Sequence, residues 1–368
     1  MQRMKNVKIY GAGSIGNHLA NAARTLGWSV DIFDIDSEAL IRTKEEIYPS
    51  RYGLWDNEIG LYLLDDNVAK EYDYVFVGTP PDKHVEVAIN SIRIDKPQLI
   101  LVEKPFCTPD LTDAQKLYSY AKQEGVRVFV GYDHVVGESA SVFSKYLSKD
   151  DLGGLITLDV EFREHWGGIF EAHPWLNGPQ DTYLGFWEKG GGSTGEHSHA
   201  LNLWQHLAYI GGQGKASRVS ADLQYIQNED VDYDQISLAN ITTDTGFMGR
   251  VVQDVVTQPT RKWARAQAEK GFIEWQCNFE NGKDRVIYAS NVDKNNYKEE
   301  VFEKTRPDDF IRELRHIDRC LEKNLDSPIS IEKGLETMLL ILAIYTSSQK
   351  GRSVKIRYDK GFTNDAII

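Results

Sequence analysis

Val7-Lys8-Ile9-Tyr10-Gly11-Ala12-Gly13-Ser14-Ile15-Gly16 is the stretch on which the fold turns. Val7 to Tyr10 reads as a short buried strand. Asn17 to Leu26 places apolar residues at helical spacing, and Gly27 stops the helix. The sequence Gly-x-Gly-x-x-Gly therefore joins a strand to a helix. In that setting Gly11 makes the tight turn, Gly13 admits a pyrophosphate to the backbone, and Gly16 lets the helix pack on the strand. The helix start adds free N–H groups and the positive end of its dipole. The loop, with Ser14 and Ile15, is expected to hold a dinucleotide.

The following segments continue the pattern. Ser29 to Phe33 is a second strand that ends at Asp34. An acid there accepts hydrogen bonds from ribose hydroxyls and repels a 2′-phosphate, which favours NAD over NADP. Asp36 is expected to cap the next helix. Tyr74 to Val77 is a strand that runs into Thr79-Pro80-Pro81 and His84, where two prolines shape a loop bordering the cofactor. Leu99 to Val102 is another strand, closed by Glu103-Lys104-Pro105. A lysine before proline is pushed towards extended backbone. Leu111 to Gln123 is helical and Arg127 to Val130 is a further strand. Strands alternating with helices predict a doubly wound parallel sheet of the Rossmann kind, in which chemistry gathers at the C-terminal strand ends.

After about residue 130 the alternation between strand and helix fades. Leu155–Arg163, Arg218–Ile226, Gln235–Thr242, Phe247–Val256 and Gly271–Gln276 read as half-exposed strands with few helices between them. They predict an α/β domain with a large, mostly antiparallel sheet, one face of it open. The expected division is residues 1–130 and 131–368, with the last helix packing back towards the first domain. An exposed sheet face also predicts a homodimer or homotetramer.

Composition narrows the function classes. The chain has 368 residues, 41% hydrophobic and 26% charged, as in soluble two-domain proteins. A net charge of −13 with no basic block argues against nucleic acid. No apolar run reaches the ~18 residues of a membrane span. Three scattered cysteines and a polar start lacking a signal peptide point to the cytoplasm.

Trp187 to Leu207 is the richest segment of the second domain. Three glycines, Gly190 to Gly192, precede Ser193-Thr194-Gly195-Glu196-His197-Ser198-His199. A helix is expected from about Ser193, with Ser193 and Glu196 as a capping-box pair. Glu196 and His199, three apart on one face, pair a carboxylate with an imidazole it can orient. His197 points away from His199, and His206 is nearly two turns on, so no metal site is expected. Arg163 and Trp166 stand in an aromatic, charged stretch suited to a carbohydrate.

Together these motifs resemble the Gfo/Idh/MocA family of glucose–fructose oxidoreductase and inositol dehydrogenase relatives. The resemblance implies an NAD(P)-dependent enzyme that moves hydride between a nicotinamide and a secondary hydroxyl or carbonyl of a sugar, polyol or derivative. It implies Lys104 and His199 as catalytic residues with Glu196 as the third member. It places Gly11, Gly13, Ser14, Ile15, Gly16, Asp34, Thr79, Pro80, His84 and Glu103 at the cofactor. It places Tyr132, His134, Arg163 and Trp166, with Lys104 and His199, at the substrate. Three places depart from the family pattern the resemblance implies: Gly195 stands where many members carry aspartate, Asn202 where the family often has another, and Tyr132-Asp133-His134 where many have an aromatic and an arginine. Two alternatives share the scaffold, a glycosidase that uses NAD without net oxidation and a non-enzymatic NAD-linked sensor.

Overall fold

The computed structural model of the chain describes residues 3–149, 152–171, 173–290 and 297–368. Its strands are β1 (Asn6–Tyr10), β2 (Ser29–Asp34), β3 (Ile59–Leu63), β4 (Tyr74–Val77), β5 (Leu99–Val102), β6 (Arg127–Val130), β7 (Leu155–Arg163), β8 (Ala216–Gln227), β9 (Asp232–Thr243), β10 (Met248–Asp254), β11 (Arg261–Ala268), β12 (Gly271–Glu280), β13 (Lys283–Ser290), β14 (Lys298–Glu303) and β15 (Val354–Lys355). Its helices are α1 (Ser14–Thr25), α2 (Ser37–Arg42), α3 (Tyr48–Tyr52), α4 (Pro81–Ile94), α5 (Ala114–Glu124), α6 (Asp133–Val136), α7 (Glu138–Leu147), α8 (Gly167–Glu171), α9 (Gly192–Glu196), α10 (His199–Ile210), α11 (Arg306–Glu322) and α12 (Ile331–Lys350).

The chain divides into two compact units. The first comprises residues 1–107, 113–133 and 306–332; the second comprises 108–112, 134–305 and 333–368. The first unit thus joins the N-terminal residues to a late segment, which carries α11. Phe310 of α11 stacks on His18 of α1, with ring centroids 4.8 Å apart.

In the first unit six strands run parallel in the order β3-β2-β1-β4-β5-β6. β4 and β5 are buried along their whole length because helices cover both faces of a parallel sheet. The order reverses between β1 and β4, so the loops after those strands face the crevice where ligands bind such sheets. β3 is the edge strand that the sequence reading did not assign; Ile59 is buried but Leu63 is exposed, so it lacks a strong apolar run.

The second unit holds nine strands in the order β14-β13-β12-β11-β7-β10-β9-β8-β15. The pairs are antiparallel except β7 with β10. One face carries Leu158, Val160, Phe162, Ala264 and Trp275, all buried. α10 lies on that face, and its Trp204 Nε1 donates to the Leu158 carbonyl at 3.0 Å. The other face shows Leu238 and Met248 beside cross-strand ion pairs, among them Arg250–Asp159 and Arg261–Glu161. β11 and β13 escaped the sequence reading because β11 presents alanines, which carry little strand signal, and β13 opens on charged residues.

Candidate active site

The dinucleotide loop is built as its glycines require. A Cβ on Gly16 would lie 1.9 Å from the Gly11 carbonyl oxygen, so no larger residue fits there. Gly13 differs: a Cβ there would meet no atom within 4 Å, which leaves its exposed side open to a ligand. Gly13 is the N-cap of α1 and supplies no side-chain cap, and the first turn holds no acid, so the N–H groups and dipole of α1 remain available to an anion. Asp34 closes the opposite side. Its Oδ2 accepts the Ala12 N–H at 2.7 Å and its Oδ1 accepts the Asp36 N–H at 2.9 Å. Asp36 caps α2 through the Glu38 N–H. Arg51, which the sequence reading missed, donates from Nη1 to the Ser14 carbonyl at 3.0 Å and brings a cation to the start of α1. Nothing local marks it, because α3 folds back from 37 residues away.

Thr79, Pro80 and the Lys104–Pro105 peptide follow β4 and β5 in the same sheet. The Thr79 hydroxyl is buried with no hydrogen-bond partner among the described residues, so it offers a polar atom to a bound molecule. Open space at Gly13, the free helix start and this hydroxyl together fit a dinucleotide. The Lys104–Pro105 bond is cis and Lys104 is half-buried.

His84 and Glu103, two residues expected at the cofactor, are both buried. His84 is buried, with Nε2 2.7 Å from the Thr79 carbonyl oxygen and Nδ1 3.0 Å from that of Pro105. Burial pushes its pKa down to about 4, so the ring is neutral and its single N–H serves one carbonyl at a time. His84 thus ties together the two loops that carry Thr79 and Lys104. Glu103 is also buried, and its carboxyl occupies the space of a missing side chain: a Cβ on Gly131 would lie 2.8 Å from it. Its pKa rises to about 7 because burial, and then the Asp133 charge, outweigh the pull of Lys104. Glu313, from α11, is fully buried with neither carboxyl oxygen hydrogen-bonded among the described residues, and it rises well above the usual carboxylate range through burial and the charges of Glu103 and Asp133.

In the second unit the Gly-rich segment forms two helices rather than one. α9 ends at Glu196 and α10 starts at His199. The Gln253 amide takes the Thr194 carbonyl at 3.2 Å, and the Ser198 N–H turns to the Gly195 carbonyl at 3.2 Å. The helical ladder therefore breaks between them. Glu196 and His199 do not share a helix face as the spacing predicted. The capping box is absent too: Gly191 caps α9, and the Ser193 hydroxyl donates to Asp234 at 2.7 Å.

Asp234 is the residue that places α9. It is fully buried and also accepts the Thr194 N–H at 2.8 Å, the Thr194 hydroxyl at 2.7 Å and the Tyr345 hydroxyl at 2.8 Å. Gly192 meets it with φ +74°, where a Cβ would lie 2.0 Å from Asp234 Oδ1. Gly195 is closed as well, since a Cβ there would fall 2.1 Å from the Gly190 carbonyl oxygen. An aspartate, or any other side chain, has no room at this position.

His199 and His134 are half-buried and touch, with ring centroids 4.7 Å apart at 69°. Phe162 and Trp275 wall the pair. Glu196 is half-buried and accepts the Tyr183 hydroxyl at 3.4 Å. Arg163 is only partly available, because its Nε donates to buried Asp254 at 2.6 Å. Two residues expected at the substrate are core. Tyr132 is fully buried at the end of β6. Trp166 packs with Leu184 and Val255, and its ring lies 4.6 Å from that of Tyr233. Aromatic residues next to charges read alike in sequence whether they line a site or fill a core.

The parallel sheet and the open glycine loop are those of a dinucleotide-binding Rossmann domain. Residues 5–132 match the family model GFO_IDH_MocA, described as oxidoreductase family, NAD-binding Rossmann fold. No curated protein matches the sequence. Solved structures share the fold over nearly the whole chain. Levoglucosan dehydrogenase in complex with NADH is 16% identical, with a TM-score of 0.76 over 96% of this chain and 99% of that one. The WlbA dehydrogenase of Bordetella pertussis, in complex with NADH and UDP-GlcNAcA, is 19% identical, with a TM-score of 0.71 over 96% and 99%. Aldose-aldose oxidoreductase of Caulobacter crescentus, complexed with glycerol, is 18% identical, with a TM-score of 0.74 over 96% and 100%. No described helix is long and apolar enough to cross a membrane.

Proposed function

We propose that the chain oxidises a secondary hydroxyl of a sugar, polyol or sugar derivative, or reduces the corresponding carbonyl. The observation that carries this reading is the position of Lys104. It follows β5 on the same sheet edge as the dinucleotide loop after β1, in a segment that matches an NAD-binding oxidoreductase family. The solved relatives with UDP-GlcNAcA, glycerol and levoglucosan point to the carbohydrate class.

NAD, when bound, supplies the hydride acceptor, and Gly11, Gly13, Ser14, Ile15, Gly16, Asp34, Thr79 and Pro80 hold it. Lys104 holds the reacting oxygen and offsets the negative charge that develops there. His199 takes the hydroxyl proton as general base, since an imidazole works near neutral pH. Glu196, separated from His199 by the helix break, binds a neighbouring substrate hydroxyl and is steadied by Tyr183. Arg163 contributes the part of its guanidinium that Asp254 leaves open. The open sheet face with Leu238 and Met248 joins copies into a dimer or tetramer, whose mass light scattering coupled to size-exclusion chromatography reads directly.

The test replaces Lys104 by Met and His199 by Asn and measures turnover on a panel of sugars, polyols and nucleotide sugars, with NADH binding followed by fluorescence. Each variant is expected to keep cofactor affinity and lose ~10²-fold or more in turnover, the usual contribution of a positioned acid–base group. Turnover above about a tenth of wild type removes the residue from the mechanism.

A further inference from the structure

We propose that Arg51 and Arg306 complete the cofactor site of the first unit as a pair of cations for the diphosphate of NAD, one supplied by α3 and one by α11. The inference rests on the cofactor site described above and not on the roles given to Lys104 and His199. It concerns two residues far apart in sequence that no motif marks.

Packing sets the two arginines at one end of the unit. Phe310 of α11 stacks on His18 of α1, with ring centroids 4.8 Å apart and planes within 8°. Further along, Lys5 pairs with Asp318 of α11 and lies 5.5 Å from the ring of Trp28, just past α1. α1 and α11 therefore run side by side in the same direction. One turn before His18 is Ser14, the first residue of α1, and one turn before Phe310 is Arg306, the first residue of α11. Arg306 lies 5.1 Å from the Phe310 ring. Arg51 reaches the same end from α3: its Nη1 donates to the Ser14 carbonyl at 3.0 Å and lies 3.3 Å from His18 Nε2. A guanidinium only donates, so Nε2 accepts and the Nδ1 proton is left to the Tyr52 hydroxyl. This is the end of α1 at which a Rossmann sheet seats the phosphates of a dinucleotide.

The neighbouring acids leave both charges largely in place. Neither arginine is in an ion pair among the described residues. The acids that feel Arg306 are Glu103 and Glu313. Both are buried; Glu103 is raised to about 7 and Glu313 well above the ordinary carboxylate range, so Glu313 is neutral near pH 7 and Glu103 carries only part of a charge. Burial likewise lifts the Tyr52 hydroxyl to about 12 against the pull of Arg51 and Arg306, so it supplies no counter-charge. Asp308 and Asp309, in the first turn of α11, offset the dipole of that helix, so its contribution to an anion is the Arg306 side chain and not its N–H groups. Asp34 lies across the loop with its oxygens on the Ala12 and Asp36 N–H groups. Burial, and after it the Arg306 charge, pulls Arg51 below its ordinary value, which still leaves a guanidinium charged. Two cations held near each other by packing, in a chain of net charge −13, favour an anion beside them. Phosphate is the anion whose oxygens match the donor fork of a guanidinium.

Titration of the full-length chain with NADH, followed by nicotinamide fluorescence with ADP and adenosine as competitors, tests this without any sugar. Arg51→Gln keeps an amide donor for the Ser14 carbonyl and removes the charge. It should weaken NADH and ADP about tenfold or more, the scale of a hydrogen bond to a charged group, and leave adenosine nearly unchanged. Arg306→Gln, at an exposed position, should weaken NADH and ADP about two- to fivefold, the scale of an exposed charge pair, and Arg306→Lys should restore most of the loss. NADH affinity unchanged in both Gln variants overturns the proposal. An equal loss for adenosine and ADP overturns it too, because it marks a packing role in which the phosphates take no part. If Arg51→Gln does not fold, Arg306→Gln and Arg306→Lys decide. A wild-type chain that binds NADH and turns over no sugar or polyol overturns the catalytic reading and leaves the arginine pair standing; one that binds no NADH overturns both.

Discussion

The backbone N–H of Ala12 donates to the Asp34 carboxylate at 2.7 Å. One side chain thereby fixes the turn of the dinucleotide loop and places a negative charge beside it. Replacing Asp34 by Ser should weaken NADH binding roughly ten- to a hundredfold, in line with ~1.5–3 kcal/mol for a hydrogen bond to a charged group. It should also narrow the preference for NADH over NADPH. Fluorescence titration with both cofactors reads this, and an unchanged preference would remove Asp34 from the ribose.

Gly195 offers a direct test of how tightly α9 is packed. Gly195→Asp adds a side chain whose first carbon falls 2.1 Å from the Gly190 carbonyl oxygen. The variant should lose thermal stability, by ~1–3 kcal/mol or more as for other overpacked sites, and gain no activity. Glu196→Gln should fold like wild type and lose kcat/KM. A stable, more active Gly195→Asp would show that the backbone around α9 moves freely.

Asp234 holds Ser193, Thr194 and Tyr345 from a fully buried position. Asp234→Ala should cost ~3 kcal/mol or more in chemical denaturation, because buried partners lose a charged acceptor. Asp234→Asn retains the shape and should cost less. Gly192→Ala should destabilise too, through its positive φ and its approach to Asp234. Equal stability of Asp234→Ala and wild type would refute the clamp.

Glu103 and Glu313 make the first unit sensitive to alkali. A carboxyl raised from its ordinary 4.5 to about 7 binds protons more tightly when folded. Stability from this group is therefore highest below about pH 4.5 and falls as pH rises through 7. The displacement of Glu103 represents on the order of 3 kcal/mol. His84 works in the opposite sense: lowered to about 4 from 6.5, it costs stability as pH falls between those values. Glu313→Gln should raise the melting temperature at pH 8 more than at pH 5. Equal effects at the two pH values would count against the buried acids.

Much of this protein lies in short-range pattern. The Gly11–Gly16 loop between strand and helix, Asp34 at the end of β2, Asp36 as a cap and Lys104 after β5 are all readable because turns, caps and strand ends depend on a few neighbouring residues. The two sheet types followed from the same local periodicity. Tertiary structure alone decided the rest. α11 returns from 306–322 to bury Glu313 in the first unit, Asp234 reaches 40 residues back to Thr194, and Gln253 breaks the helix that Glu196 and His199 were expected to share. The contact of His134 with His199, and the burial of Tyr132 and Trp166, belong to the same class. Each depends on which distant element packs against a residue, and side-chain spacing along one chain segment carries no record of that partner.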